Sequence, residues 1–254
     1  MTDQHQTSRE QHQTSREPNP ITASNRPLVI AIDGPSGSGK SSTARGVAER
    51  LGLAFLDTGA MYRAITWLAL QEGVDLDDQA AVARLLAHAL MDINQDPRHP
   101  AIAINGVDVT DAIRAPEVSA AVSSVATNLE IRADLVARQK KLIAEAVGGV
   151  VAEGRDITTV VAPDADVRVL LVADPAARVA RRHAELTDHE VDVDTVTDQV
   201  IRRDRDDSTV AEFESAAPGV HVVDSTFLSL EEVIETICSF VPVRPLGDGR
   251  DQRG

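Results

Sequence analysis

Short apolar runs alternate with longer stretches of helical periodicity along most of this chain. Leu28 to Asp33 (LVIAID), Leu53 to Asp57 (LAFLD), Gly149 to Glu153 (GVVAE), Val167 to Val172 (VRVLLV) and Gly219 to Val223 (GVHVV) read as strands. Their runs are nearly continuous in apolar residues, as strands covered on both faces are, and helical segments separate them. This predicts an α/β fold: a five-stranded parallel sheet flanked by crossover helices. Ala44, Val47, Ala48 and Leu51 fall at i, i+3, i+4 and i+7, so a helix opens near Gly39 and stops at Gly52. Ser229 and Glu232 stand in capping-box spacing ahead of Val233, Ile234 and Ile237, which predicts a last helix.

Two stretches break the alternation. Between Met91 and Val109 the pattern shortens to strands around Asn105-Gly106, a strong hairpin signal, and Pro116 then opens a helix to about Ala126. Residues 85–127 therefore read as an inserted subdomain. Residues 175–214 are dense in charge and read as two exposed helices joined by a loop, with Arg178, Arg181, Arg182, Arg202, Arg203 and Arg205 among many acids. The ends differ again. QHQTSRE occurs at Gln4–Glu10 and again at Gln11–Glu17 with no apolar residue, so residues 1–26 are expected to be a disordered tail. Residues 242–254, polar and rich in Pro and Gly, are expected to be a flexible one.

Composition narrows the partners. A formal charge of -15 repels nucleic acid and anionic bilayers, so a phosphate site must be a local basic pocket in an acidic body. The single cysteine, Cys238, cannot form an internal disulfide, no apolar run is long enough to span a bilayer, and the start lacks the apolar core of a signal peptide. Together these predict a cytoplasmic protein.

Against that background one motif dominates. Gly34, Pro35, Ser36, Gly37, Ser38, Gly39, Lys40 and Ser41, followed by Ser42, match the phosphate-binding loop G-x-x-x-x-G-K-[ST], directly after a strand and at the head of an amphipathic helix. Backbone N–H groups there would cradle the phosphates of ATP, Lys40 would reach the β- and γ-phosphates, and Ser41 would place its hydroxyl on Mg2+. The guanine-reading N-K-x-D motif does not occur in the chain. Val169 to Asp174 could end in a metal-holding Asp174, but Pro175 follows at once, and Asp then Pro is the ordinary start of a helix. Asp57-Thr58-Gly59-Ala60-Met61-Tyr62-Arg63 ends the second strand and opens a helix at the sheet edge where ligands gather, which brings Thr58, Tyr62 and Arg63 to the loop's side. Just past another strand, Arg155 can fork two donors onto a phosphate and Asp156 can accept from an exocyclic amine. In a phosphoryl-transfer enzyme the arginine-dense stretch has a use as a lid that neutralises charge and excludes water.

The strings IDGPSGSGKSS, LDTGAMYR, IRAPEV, EGRDI and RRDRDDS, in this order and spacing from about Pro27 to Phe240, together resemble the bacterial cytidylate kinases. The resemblance implies a core sheet with a monophosphate-binding insertion and a lid, and ATP and CMP or dCMP as substrates. By position it implies that Arg63 and Arg155 clamp the CMP phosphate with Tyr62 lining the pocket, that Ser123, Asp156 and Arg132 read the base, and that Asp207 and Arg203 approach the sugar. One departure stands out. The family's lid motif often runs R-D-x-x-D-S-x-R, and here Val210 stands in the last arginine's place; Arg205, in the same stretch, is the candidate substitute.

A CMP phosphate is largely dianionic at neutral pH, so its transfer needs no general base. That agrees with the lack of any obvious Ser-His or His-Asp pair. Catalysis would rest on alignment, Mg2+ and the positive charge of Lys40, Arg63, Arg155 and lid arginines such as Arg203, with Asp156 restraining Arg155. The expected enzyme is a monomer that binds neither nucleic acid nor membrane. A kinase for another small acceptor, or an ATP-binding module without transfer activity, remains an alternative on these residues.

Overall fold

The computed structural model describes residues 27–185, 197, 201–202, 204–211, 213 and 215–242. The two terminal tails, Arg203 and much of the second half of the charged stretch lie outside the described residues.

All five expected strands form, as β1 (Val29–Asp33), β2 (Ala54–Asp57), β6 (Val150–Gly154), β7 (Val167–Val172) and β8 (His221–Asp224). They build one parallel sheet in the order β2-β6-β1-β7-β8, so the strand bearing the phosphate-loop motif is central. The register pairs Ile32 of β1 with Glu153 of β6 and Asp33 with Gly154, which aligns the carboxyl ends of the two strands. Ile30, Ala31, Ile32, Val150, Val151, Ala152 and Leu171 are fully buried, which explains their unbroken apolar runs.

The first helix, α1 (Lys40–Leu51), buries Thr43, Ala44, Val47 and Ala48, and Gly52 ends it in the left-handed conformation. Next, α2 (Thr58–Gln71) is capped by Asp57, whose carboxylate accepts from Ala60 N at 2.8 Å. A second, antiparallel sheet of three strands follows α3 (Gln79–His88): β3 (Met91–Asn94), β4 (Ala101–Ile104) and β5 (Val107–Asp108). The β4–β5 turn is Asn105-Gly106, with φ of 51° and 79°, the positive pair that a two-residue hairpin requires. The helix α4 (Pro116–Ala126) has the expected bounds.

Two helices go beyond the patterning described above: α3 and α5 (Leu129–Glu145), the latter capped by the Asn128 side chain and buried through Ile131, Leu135 and Gln139. Of the two expected charged helices, α6 (Pro175–Glu185) is described, and residues 204–207 are also helical. The final α7 (Leu230–Ser239) carries the complete Ser229/Glu232 capping box and buries Val233, Ile234 and Ile237. Among the described residues no helix is long and apolar enough to cross a membrane.

Candidate active site

The loop between β1 and α1 follows from its glycines. A Cβ on Gly34 would lie 2.1 Å from the Leu171 carbonyl oxygen of β7. At Gly37, φ is 73° and a Cβ would lie 2.5 Å from the Arg178 carbonyl oxygen of α6. Only glycine permits this close wrapping at both points. Lys40 folds its Nζ back to donate to the Pro35 carbonyl at 2.9 Å, and Ser41 Oγ donates to Glu153 Oε1 at 2.5 Å.

Glu153 belongs to the site, and the sequence reading above gives it no role. It is the last carboxylate of β6, buried against the head of α1. Burial pushes its carboxyl up to about 7, and the charge of Asp57 adds to this, while Lys40, Ser41 and Arg63 oppose it. Asp174, the other acid considered at a strand end, accepts from Ala176 N at 2.8 Å and starts α6, as the capping reading expects.

A cleft of about 280 Å3 opens over the carboxyl ends of these strands. Of the residues expected in the site, Ser36, Gly37, Gly39, Lys40, Ser41, Ser42, Thr58, Tyr62, Arg63, Arg132, Arg155, Asp156 and Asp207 line it. Gly34, Pro35 and Ser38 belong to the loop but do not line the cleft, and Ser38 Oγ is buried without a hydrogen-bond partner among the described residues. Ser123 lies on α4 and is not among the cleft-lining residues, although its neighbours Val122 and Ala126 are. Arg203 lies outside the described residues.

The turn after β6 is fixed from below by Asp33. This buried carboxylate accepts from Ile157 N and Thr158 N, both at 2.8 Å, and from Thr158 Oγ1 at 2.6 Å. Burial nonetheless raises its pKa, because three donors do not fully replace water. The turn presents Arg155 and Asp156 to the cleft. Arg155 donates to the Gly34 carbonyl at 3.0 Å, pairs with Asp204 at 3.0 Å and Asp207 at 3.1 Å, and lies over the Phe213 ring at 4.3 Å. Asp156 pairs with Arg132 of α5; burial raises its pKa and Arg132 opposes the rise.

The arginines of α6 are not a solvated face. Arg178 donates to the Ser36 carbonyl at 3.1 Å and pairs with Asp204, while Arg181 donates to the Ser38 carbonyl at 3.3 Å and to Ser225 Oγ at 2.9 Å. Arg182 lines the cleft and donates to Ser119 Oγ at 3.0 Å. Arg205 behaves differently: its side chain is 75% exposed, pairs with Asp206 and does not line the cleft.

A phosphate-loop lysine, clustered arginines and the largely buried Arg132–Asp156 pair thus share one cleft. The cytidylate kinase family model matches residues 30–242. The chain belongs to the cytidylate kinase family. A cytidylate kinase from Cutibacterium acnes is 55% identical over 221 residues, spanning 87% of this chain and 98% of that protein. One from Streptomyces griseus is 43% identical over 216 residues, spanning 84% and 92%. Among solved structures, a shikimate kinase from Acinetobacter baumannii aligns over 87% of this chain and 96% of its own, at 14% identity and a TM-score of 0.42. Arg114, which lies in the IRAPEV string without an assigned role, and Arg182 of the arginine-dense stretch also line the cleft.

Proposed function

We propose that the protein transfers the γ-phosphoryl group of ATP to CMP or dCMP, giving ADP and CDP or dCDP. The observation that carries this reading is the shared cleft: phosphate loop, Arg63, Arg155 and the buried Arg132–Asp156 pair all line it. In this reading the loop from Gly34 to Ser42 holds the ATP phosphates on its N–H groups and on Lys40. Arg63 and Arg155 clamp the acceptor phosphate. Asp156 accepts from the cytosine 4-amino group while Arg132 faces the ring's acceptor edge, with Ser123 as the third base-reading side chain. Asp207 and Arg203 serve the sugar, and Thr58 and Tyr62 complete the wall.

An acceptor-phosphate oxygen forms the new bond to the γ-phosphorus as the bond to the β,γ-bridging oxygen breaks and its electron pair stays on ADP. No proton has to be removed from the dianionic acceptor, so the chain's contribution is alignment and positive charge. The arginines neutralise the migrating group from the acceptor side and Lys40 from the donor side.

Mg2+ prefers hard oxygen ligands and keeps several waters, and Ser41 Oγ beside the Glu153 carboxylate, with Asp57 nearby, fits that preference. Bound as Mg·ATP, it would supply charge neutralisation at the β- and γ-oxygens. The β3-β4-β5 sheet with α4 would form the monophosphate-binding insertion, at about residues 85–127, and the stretch from α6 to about residue 214 the lid. The protein is read as a monomer, and soluble ATP and CMP as substrates support a cytoplasmic site of action.

The test is ADP release at saturating Mg·ATP with CMP, dCMP, UMP, AMP and GMP in turn. CMP and dCMP should exceed the others at least tenfold in kcat/KM, because acceptors built for an amine stay unpaired when a carbonyl is offered. Preference for another acceptor would reassign the base-reading residues, and ADP release with none of them would leave a binding module.

A further inference from the structure

We infer that Asp204 is a positioning residue for phosphoryl transfer, locking the donor loop and the acceptor-clamping Arg155 into one rigid unit; this rests on the reading of Arg155 and the phosphate loop given above. Its side chain is 12% exposed and meets three separate elements. Oδ1 accepts from the Ser36 backbone N–H of the loop at 2.9 Å and stands 3.0 Å from Arg155 Nη1. Oδ2 pairs with Arg178 of α6, and Arg178 in turn donates to the Ser36 carbonyl. The Ser36 residue is thus held at its N–H by the carboxylate and at its C=O by the carboxylate's own partner.

This arrangement adds direction more than stability. A buried ion pair is weak evidence for stability, since apolar side chains of the same volume often hold a fold as well. What two guanidinium groups on one carboxylate fix is the plane and reach of each arginine. Arg155 is the group whose reach matters. It has five N–H donors and uses protein acceptors at Gly34, Asp204 and Asp207, which leaves at least two for a phosphate. Since Gly34 and Ser36 belong to the donor loop, the same contacts set the distance between the transferred group and its acceptor. An error of about 1 Å in that distance can lower turnover about a hundredfold.

Asp204→Asn keeps the shape and an acceptor but removes the charge that holds both guanidinium groups. The expected result with ATP and CMP, per folded molecule, is a kcat at least thirtyfold lower, KM for each substrate within threefold of wild type, and a melting temperature lowered by about 2–12 °C, as for other largely buried pairs that lose one charge. Combined with Arg178→Met, it should cost no more than the worse single change, because the two act through one contact. A wild-type kcat would overturn the inference, and so would additive losses. An Asn variant that is insoluble, or whose activity falls only in step with its folded fraction, would make Asp204 a folding residue and overturn it too. Tighter ATP binding with faster turnover would instead make the carboxylate a blocking anion on the loop. Wild-type protein that leaves CMP unphosphorylated would defeat the proposed function itself, a result read separately from any variant.

Discussion

Asp156→Asn is the substitution that weighs base recognition most directly. The Asp156 side chain is 8% exposed and its Arg132 partner 14%, so both sit largely out of water. Replacing the carboxylate by an amide keeps the volume, removes the charge and adds an N–H2 donor where the site had only an acceptor. For CMP the loss is one charge-assisted hydrogen bond, worth about 1.5–3 kcal/mol. At about 1.4 kcal/mol per factor of ten, kcat/KM for CMP should fall about 10- to 150-fold. For UMP the new donor can meet the ring carbonyl, so its kcat/KM should hold or rise, and the CMP preference should shrink by at least the same factor.

The same change leaves Arg132 without its partner. Breaking a fully buried pair costs about 3–5 kcal/mol, and the partial exposure of Arg132 brings this to roughly 1–3 kcal/mol. At about 2–4 °C per kcal/mol for a domain of this size, the melting temperature should drop by about 2–12 °C. Activity measured at 25 °C with CMP and UMP side by side then separates recognition from folding. Equal losses for CMP and UMP would refute the base-reading role and leave Asp156 only a structural partner of Arg132.

Further outcomes follow from neighbouring groups. Lys40→Ala should lower kcat at least a hundredfold with an unchanged circular dichroism spectrum, since its ammonium is the loop's own charge for the β- and γ-phosphates; near-normal turnover would mean that the loop holds no nucleotide. Arg182→Ala should raise KM for CMP at least fivefold while Arg205→Ala stays within twofold, because only the first lines the cleft; the reverse pattern in steady-state kinetics would restore Arg205 as the substitute for the arginine absent at Val210. Burial holds the Asp33 carboxyl above its ordinary 3.8, so the folded chain retains a proton that the unfolded chain has released, and this group costs stability increasingly as pH rises from about 3.8 through the folded value. The melting temperature of Asp33→Asn relative to wild type should therefore improve as pH rises above about 4, levelling off once the folded carboxyl has also titrated, and a difference independent of pH would refute the shifted titration.

How far the sequence was legible depends on whether a contact is local. The five strands, the Gly52 stop, the Asn105-Gly106 turn, the Pro116 start and the Ser229/Glu232 box are each decided within a few residues, and each forms where its own chemistry requires. Apolar spacing on α5 was present too, at Ile131 and Leu135, but its exposed face is so charged that the stripe is narrow. The loop motif, Arg155 and Asp156 were legible for the same local reason, each sitting at or just past the carboxyl end of a strand, and Arg63 because it lies in the second turn of the helix that follows β2.

What escaped notice depends on strand order, which no local pattern encodes. The acid at a strand end that the sequence offers is Asp174 in VLLVAD, which the Pro175 that follows marks as a helix start, and nothing local singles out Glu153 in its place. Yet the β2-β6-β1-β7-β8 order and the Ile32–Glu153 register set Glu153 against Ser41, across 112 residues of sequence, while Asp174 turns to cap α6. Asp204 shows the same blindness at longer range, being 168 residues from the Ser36 amide that it holds. Read along the chain, Arg178 and Asp204 are two members of a charged run of the kind that usually faces water. Folded, both close on the phosphate loop, Asp204 on the Ser36 N–H and Arg178 on the Ser36 carbonyl, so charges that look dispensable along the chain are tied to the loop.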